Sequence, residues 1–342
     1  MTTNSPHRPF TWTFVVASLV ATLALAQETK SPAPTPQGGA PRGDSAAAPA
    51  PAAPATPPSP VTGIRNKVSA GDLLSAESIL EVHRAKYGED GAYLAGLSWL
   101  ARGALLLGDT EKADRYVAEV RARCADSLAH GVDLEKSHDV EIALGAAIEV
   151  AAQRIERSKG QRAAAEFVRG ELSKIPKPVT LRSRLQKRIN LMTLAGAAAP
   201  EIAVEDFVGA APPDLGALRG KPVLMFLWAE WCGDCRAQAG ALARVQSRYV
   251  GDGLEVVSLT RYYKEDAVDR VREKARVDSV WQADYRGVGT APVVFSTASM
   301  ERYGVSSTPT FVFVDRKGVV RRYTPTRLTE AELDRTLQAL VR

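Results

Sequence analysis

Past about residue 60 the hydrophobic spacing of this 342-residue chain changes once, and the change divides it. From Val61 to Ala195 apolar residues recur every three or four positions, as in Leu94, Leu97 and Leu100 or in Ala143, Ala147, Ile148, Ala151 and Ile155. That spacing predicts packed helices. Beyond Ala199 it gives way to short unbroken apolar runs, Val223 to Trp228, Leu254 to Leu259 and Thr310 to Val314, each reading as a strand buried on both faces. Arg316-Lys317-Gly318 predicts a turn into a fourth strand from Val319 to Tyr323. Helical spacing returns in 236–249, 264–275 and 329–341. Strands alternating with helices, then a hairpin and a closing helix, predict helices packed around a mixed sheet.

The helical part carries an internal repeat. Gly71-Asp72 is followed by Ala76 and then Ile79 and Leu80; Gly108-Asp109 is followed by Ala113, Tyr116 and Val117; Gly160 with Ala165 and Val168 is a looser third copy. A glycine turn, then a helix with a small residue where another backbone approaches, is what stacked helical hairpins require. An all-helical scaffold without a ligand and a protein-binding domain both fit.

Composition adds mainly exclusions. With 45% hydrophobic and 24% charged residues the chain can bury a core. The net charge of +5 is spread thinly, with 20 basic against 19 acidic residues from Pro200 onward and 21 against 18 in 61–199. Neither half has the concentrated positive field of a nucleic-acid binder. In the densest run, Arg169 to Arg188, seven Lys or Arg face one Glu, which reads as a solvated helix face. At the N-terminus His7 and Arg8 precede an apolar stretch from Phe10 to Leu25 that closes on Ala24-Leu25-Ala26, the pattern of a signal peptide over 1–26. An uncleaved anchor is the alternative. Ten prolines between Ser31 and Pro60 make 27–60 a semi-rigid linker. The expected domains are therefore the helical region 61–195 and the sheet region 196–342, both extracytoplasmic or periplasmic, where disulfides persist.

Two of the three cysteines lie in WAEWCGDC, Trp228 to Cys235. No histidine follows His138 and Cys124 lies in the helical part, so the sheet region offers two thiolates and no imidazole. That falls short of a four-ligand zinc site, although two thiolates can hold Cu(I). A redox pair fits the position, where a buried strand hands over to a helix. Unsatisfied amides at a helix start stabilise a thiolate, which favours Cys232 as nucleophile. Cys235, a turn further in, can then attack a mixed disulfide. Trp228 and Trp231 would shield the pair. Thr308-Pro309-Thr310 leads directly into the third strand, and a cis bond there would bend the chain beside the thiols.

WAEWCGDC followed by YGVSSTPTFVFVDRKG, with the lead-in Leu218-Arg219-Gly220-Lys221-Pro222, resembles the thioredoxin-fold, exported thiol-disulfide oxidoreductases of the TlpA/ResA type over residues 196–342. The helical part is similar to tetratricopeptide-type repeats. The resemblance implies a thioredoxin fold (α/β) after an all-α hairpin domain, Cys232 as attacking thiol, Cys235 as resolving thiol, and Pro309 as a cis-proline facing them. Trp231, Thr308 and Pro309 would contact substrate. It further implies no cofactor, protein disulfides as substrates and a membrane or periplasmic electron donor, with a protein partner for the helical domain.

Departures from that pattern concern protons. Gln238 stands three residues after Cys235 where relatives often have Glu, Phe226 occupies a strand position that is often polar or acidic, and no proline lies near Gly240. Glu230 and Asp234 are the remaining acids that could handle protons or tune the thiols. A carboxylate at Asp234 raises the thiol pKa of Cys232 by less than about one unit, which disfavours the dithiol and tilts the pair toward reductase rather than oxidase chemistry. Peroxidase chemistry is not expected, because Ala229 stands three residues before Cys232 where thioredoxin-fold peroxidases keep Thr or Ser. The competing class is a peptide-binding adaptor with a structural CGDC pair.

Overall fold

The computed structural model describes residues 59–176, 180–264, 266–288 and 291–342, all within one compact unit, Thr56–Arg342. The expected signal peptide and nearly all of the expected linker lie outside the described residues. Pro60, expected to end the linker, is instead buried and forms the N-cap of the first helix. Among the described residues no helix is long and apolar enough to cross a membrane.

The helical part is a row of hairpins: α1 (Val61–Ser69) with α2 (Leu73–Tyr87), α3 (Gly91–Leu106) with α4 (Thr110–Ala129), and α5 (His138–Leu172), which folds back on itself at Gly160. The repeat seen in the sequence is the set of hairpin turns. Gly71, Gly108 and Gly160 have φ of 79°, 84° and 85°, a left-handed conformation that glycine adopts without penalty. Asp72 and Asp109 then cap the next helix by accepting the Ser75 and Lys112 amides at 3.0 Å. Ala76, Ala113 and Ala165 are fully buried.

A single helix, α6 (Thr180–Thr193), joins this row to the sheet. Its Leu181, Leu185 and Ile189 belong to the helical core, while Leu194 just beyond it belongs to a core under the sheet. In the basic run expected to be a solvated face, Arg169 and Lys174 are exposed, but the arginines on α6 form an interface instead. Arg184 makes two 2.7 Å bonds to Glu149 on α5, Arg188 pairs with Glu156, and Arg182 reaches Glu301 at 2.9 Å. Although burial works the other way, Arg184 and Arg102 hold the Glu149 carboxyl down to about 2. The partners stand 32, 35 and 119 residues away, so local charge counting could not see them.

The sheet has six strands in the order β1-β4-β3-β2-β5-β6. These are β1 (Asp206–Val208), β2 (Val223–Leu227), β3 (Glu255–Thr260), β4 (Val293–Phe295), β5 (Thr310–Val314) and β6 (Val320–Thr324). β2, β3 and β4 run parallel, whereas β5 and β6 are antiparallel additions on the other side of β2. Helices α7 (Gly233–Arg236), α8 (Ala239–Tyr249), α9 (Ala267–Asp284), α10 (Thr297–Arg302) and α11 (Glu330–Val341) surround it. This is the thioredoxin fold with an extra edge strand. β1, β4 and α10 were not expected from spacing; two are three-residue strands, too short to show a period.

The seam between the two parts runs close to the loop before β5. Asn190 of α6 donates to the Arg302 carbonyl at 3.1 Å. Gly304, at φ 65°, lies so near α6 that a Cβ would sit 2.3 Å from the Lys187 nitrogen. Gly304→Ala is therefore expected to cost about 2–4 kcal/mol, combining a left-handed alanine with a backbone clash. Gly318→Ala, at φ 78° with nothing nearby, should lose only the conformational part, about 1 kcal/mol. Urea unfolding of the two variants measures the difference.

Candidate active site

β2 is buried along its whole length, and Trp228 extends its pairing by donating to the Leu259 carbonyl at 2.9 Å. The chain then turns, with Cys232 N–H bonded to the Ala229 carbonyl, and enters α7 with Cys232 as its N-cap. Cys232 Sγ accepts the Cys235 amide at 3.0 Å, the place where a helix start can stabilise negative charge on sulfur. Cys232 and Cys235 are joined as a disulfide, with Cα atoms 5.2 Å apart. Cys232 is 6% exposed and Cys235 fully buried, so access to the pair is through Cys232.

Thr308-Pro309 is cis, and the Thr308 carbonyl oxygen lies 3.6 Å from Cys232 Sγ. The register explains the meeting. Thr310 at the start of β5 faces Leu227 at the end of β2, so 307–309 arrive at the edge from which Trp228 departs. The loop is tied down by Thr310 Oγ1 donating to Ser307 O at 2.8 Å and Ser307 Oγ to Pro325 O at 3.3 Å. Trp228 is wholly buried against Phe226, Trp281 and Tyr285, whereas Trp231 is 61% exposed and packs edge-on against Tyr263.

Both positions where the resemblance led to the expectation of an acid have structural occupants. Phe226 is fully buried, packed on Trp228, Tyr285 and Phe311. Gln238 is buried in the two-residue interruption between α7 and α8. Its Nε2 donates to the Leu328 carbonyl at 2.9 Å and its Oε1 accepts the Leu328 amide at 2.7 Å. The interruption arises without proline, at the point where this clamp holds the chain.

Of the two remaining acids, Asp234 is half exposed and paired with Arg327 at 3.2 Å. Glu230 is largely enclosed. One carboxyl oxygen lies 3.3 Å from Arg276 Nε, and the other, Oε2, is buried without a partner. Burial pushes the Glu230 carboxyl above the ordinary range against the pull of Arg276, and the Glu273 carboxylate adds to the rise. Glu273 itself, 1% exposed, accepts the Tyr263 amide at 3.0 and 3.1 Å and the Lys264 amide at 3.2 Å. The sequence reading passed over Glu273, Tyr263 and Arg327, since only the fold brings them to the motif. Among the described residues no three His, Cys, Asp or Glu side chains converge as a metal site.

Residues 195–323 match the AhpC/TSA family. The thioredoxin-like protein YneN of Bacillus subtilis is 28% identical over 143 residues, 42% of this chain and 78% of its own length. The thiol:disulfide interchange protein DsbE of Pseudomonas fluorescens is 30% identical over 105 residues, 30% of this chain and 51% of that protein. Among solved structures, a thiol:disulfide interchange protein DsbE from Chlorobium tepidum superposes with a TM-score of 0.36 at 23% identity, covering 43% of this chain and 98% of that one.

The Gln238 clamp makes a prediction of its own. Gln238→Glu keeps an acceptor for the Leu328 amide but can donate to the Leu328 carbonyl only when protonated. The folded state then raises the new carboxyl's pKa, so the variant's stability is best at low pH and falls as pH rises through that value. At pH 7 the loss is expected to be about 1–3 kcal/mol. Thermal unfolding at pH 5 and pH 7 checks it; equal losses at both would contradict the clamp.

Proposed function

We propose that the chain, whose residues 195–323 match the AhpC/TSA family and form a thioredoxin-like domain, performs thiol-disulfide exchange on extracytoplasmic proteins through Cys232 and Cys235. The observation that carries the reading is the combined geometry at Cys232: a sulfur at a helix start, bonded to the Cys235 amide, and facing the Thr308 carbonyl. In the reduced protein the Cys232 thiolate attacks a substrate disulfide, forming a mixed disulfide and releasing one substrate thiolate. Cys235 loses its proton and attacks Cys232 Sγ, which expels the second substrate thiolate and leaves the intramolecular disulfide. Two electrons pass to the substrate, and a periplasmic or membrane reductant restores the dithiol. Trp231, Thr308 and Pro309 line the approach and contact the substrate.

Glu230 takes the Cys235 proton in this scheme. Neither Phe226 nor Gln238 can, and Glu230 has an unpartnered carboxyl oxygen at the end of β2. Asp234 tilts the pair toward reduction by opposing negative charge at Cys232, and Arg327 moderates that tilt. The hairpin row is tetratricopeptide-like in its repeated glycine turns and offers a surface for a protein partner. The chain acts outside the cytoplasm behind its signal segment.

Insulin reduction coupled to dithiothreitol tests the proposal. Wild type should turn over, Cys232→Ser should lose essentially all activity, and Cys235→Ser should accumulate the mixed disulfide. A wild-type chain without activity would favour the adaptor instead. In the same assay the rate should rise with pH through an apparent pKa above the usual carboxylate range, where Glu230 becomes a base. Glu230→Gln should abolish that limb and slow turnover at pH 7 by about tenfold.

A further inference from the structure

Beside the cysteine pair the loop between β3 and α9 builds a surface that the exchange chemistry does not require. Tyr263 packs edge-on against exposed Trp231, with ring centroids 5.5 Å apart and planes at 71°. The Arg261 guanidinium carbon lies 4.8 Å from the centre of the Tyr263 ring. Trp231, Tyr263 and Arg261 thus form a continuous ladder leading away from Cys232.

Residues 262–264 of this loop are tied down from several sides. The buried Glu273 carboxylate spends both oxygens on the Tyr263 and Lys264 amides. Arg270 donates to the Lys264 carbonyl at 3.1 Å. Tyr262 stacks on Phe295 and donates to Asp206 at 2.7 Å. A buried charge is costly unless its hydrogen bonds are met, and here it is met by the two amides that fix Tyr263 against Trp231.

Charge selects the occupant. Of the neighbouring cations, Arg276 is matched with Glu230, Lys274 with Asp206 and Arg236 with Asp284, whereas Arg270 lies over the Tyr262 ring and donates to the Lys264 carbonyl. Among the described residues Arg261, Lys264 and Arg270 make no ion pair with a carboxylate, and of these Arg261 is the one stacked on Tyr263. A half-buried guanidinium over an aromatic face can still pair with one carboxylate through its free edge.

We propose that Trp231, Tyr263 and Arg261 dock an extended segment of a partner protein that carries an acidic residue near its target cysteine. An extended chain advances about 3.3 Å per residue, so the path over Tyr263 to Arg261 places the carboxylate roughly three residues from that cysteine. The apolar side chains between lie on Trp231 and Tyr263, and Arg261 takes the carboxylate. This docking mode rests on the proposed thiol chemistry and narrows its substrates to acidic segments.

Steady-state reduction of two synthetic disulfide-bridged peptides by the full chain tests it. They are identical except for Glu or Lys three residues from the cysteine, and hydroxyethyl disulfide serves as a neutral small substrate. Wild type should show a KM about fivefold lower for the Glu peptide. Arg261→Glu should invert that preference, Arg261→Gln should erase it, and Tyr263→Ala should raise the KM for the Glu peptide more than it lowers kcat. Equal KM values for the two peptides with wild type, or a preference unchanged in Arg261→Gln, would overturn the docking inference. Failure of wild type to reduce hydroxyethyl disulfide would instead overturn the underlying thiol reading.

Discussion

The site depends on one constraint, the burial of β2 between two strands and two layers. Its five residues are all covered, with Leu224 and Phe226 in one core and Val223, Met225 and Leu227 in the other. Parallel pairing with β3 and antiparallel pairing with β5 fix both neighbours in register. A chain leaving such a strand must satisfy its backbone groups at once, and it does so by turning into α7 with Cys232 as the cap. The antiparallel register delivers Thr308 to the same edge. Juxtaposition of the sulfur and the Thr308 carbonyl is therefore a consequence of strand pairing.

The second organising element is α6. It contributes to the helical core and leads into a core of the sheet, and its basic side chains are spent on acids of both parts. The segment after it continues the attachment, with Gly196 and Ala199 donating to the Val320 and Gly318 carbonyls beside β6. The row of hairpins and the sheet accordingly pack as one unit. Gly304, against the backbone of α6, lies four residues before Thr308, so the helical part buttresses the loop that faces the cysteines.

Much of this was legible in the sequence because the responsible signals are local. Unbroken apolar runs marked β2, β3 and β5, and the glycine-aspartate pairs marked two hairpin turns with their caps. WAEWCGDC read as a strand handing over to a helix. What escaped was short or remote. β1 and β4 have three residues each, and α10 has six. The Arg182, Arg184 and Arg188 run looked solvated because its acids lie on other helices. Gln238 looked like a missing acid, whereas in the fold it is a two-way clamp on Leu328, 90 residues away. Glu273 gave no signal at all, since its value lies in amides it meets only after folding.

The most direct test of thiol exchange by Cys232 and Cys235 is the redox potential of the pair. The full chain would be equilibrated in dithiothreitol and glutathione buffers, quenched by alkylation and read by mass. The account predicts a reversible two-electron transition confined to Cys232 and Cys235, with the buried Cys124 unchanged in redox state. Its midpoint should lie nearer the about −270 mV of thioredoxin than the about −120 mV of a strong disulfide oxidant. A pair that stays oxidised across the whole range, or a midpoint at the oxidising end, would contradict it.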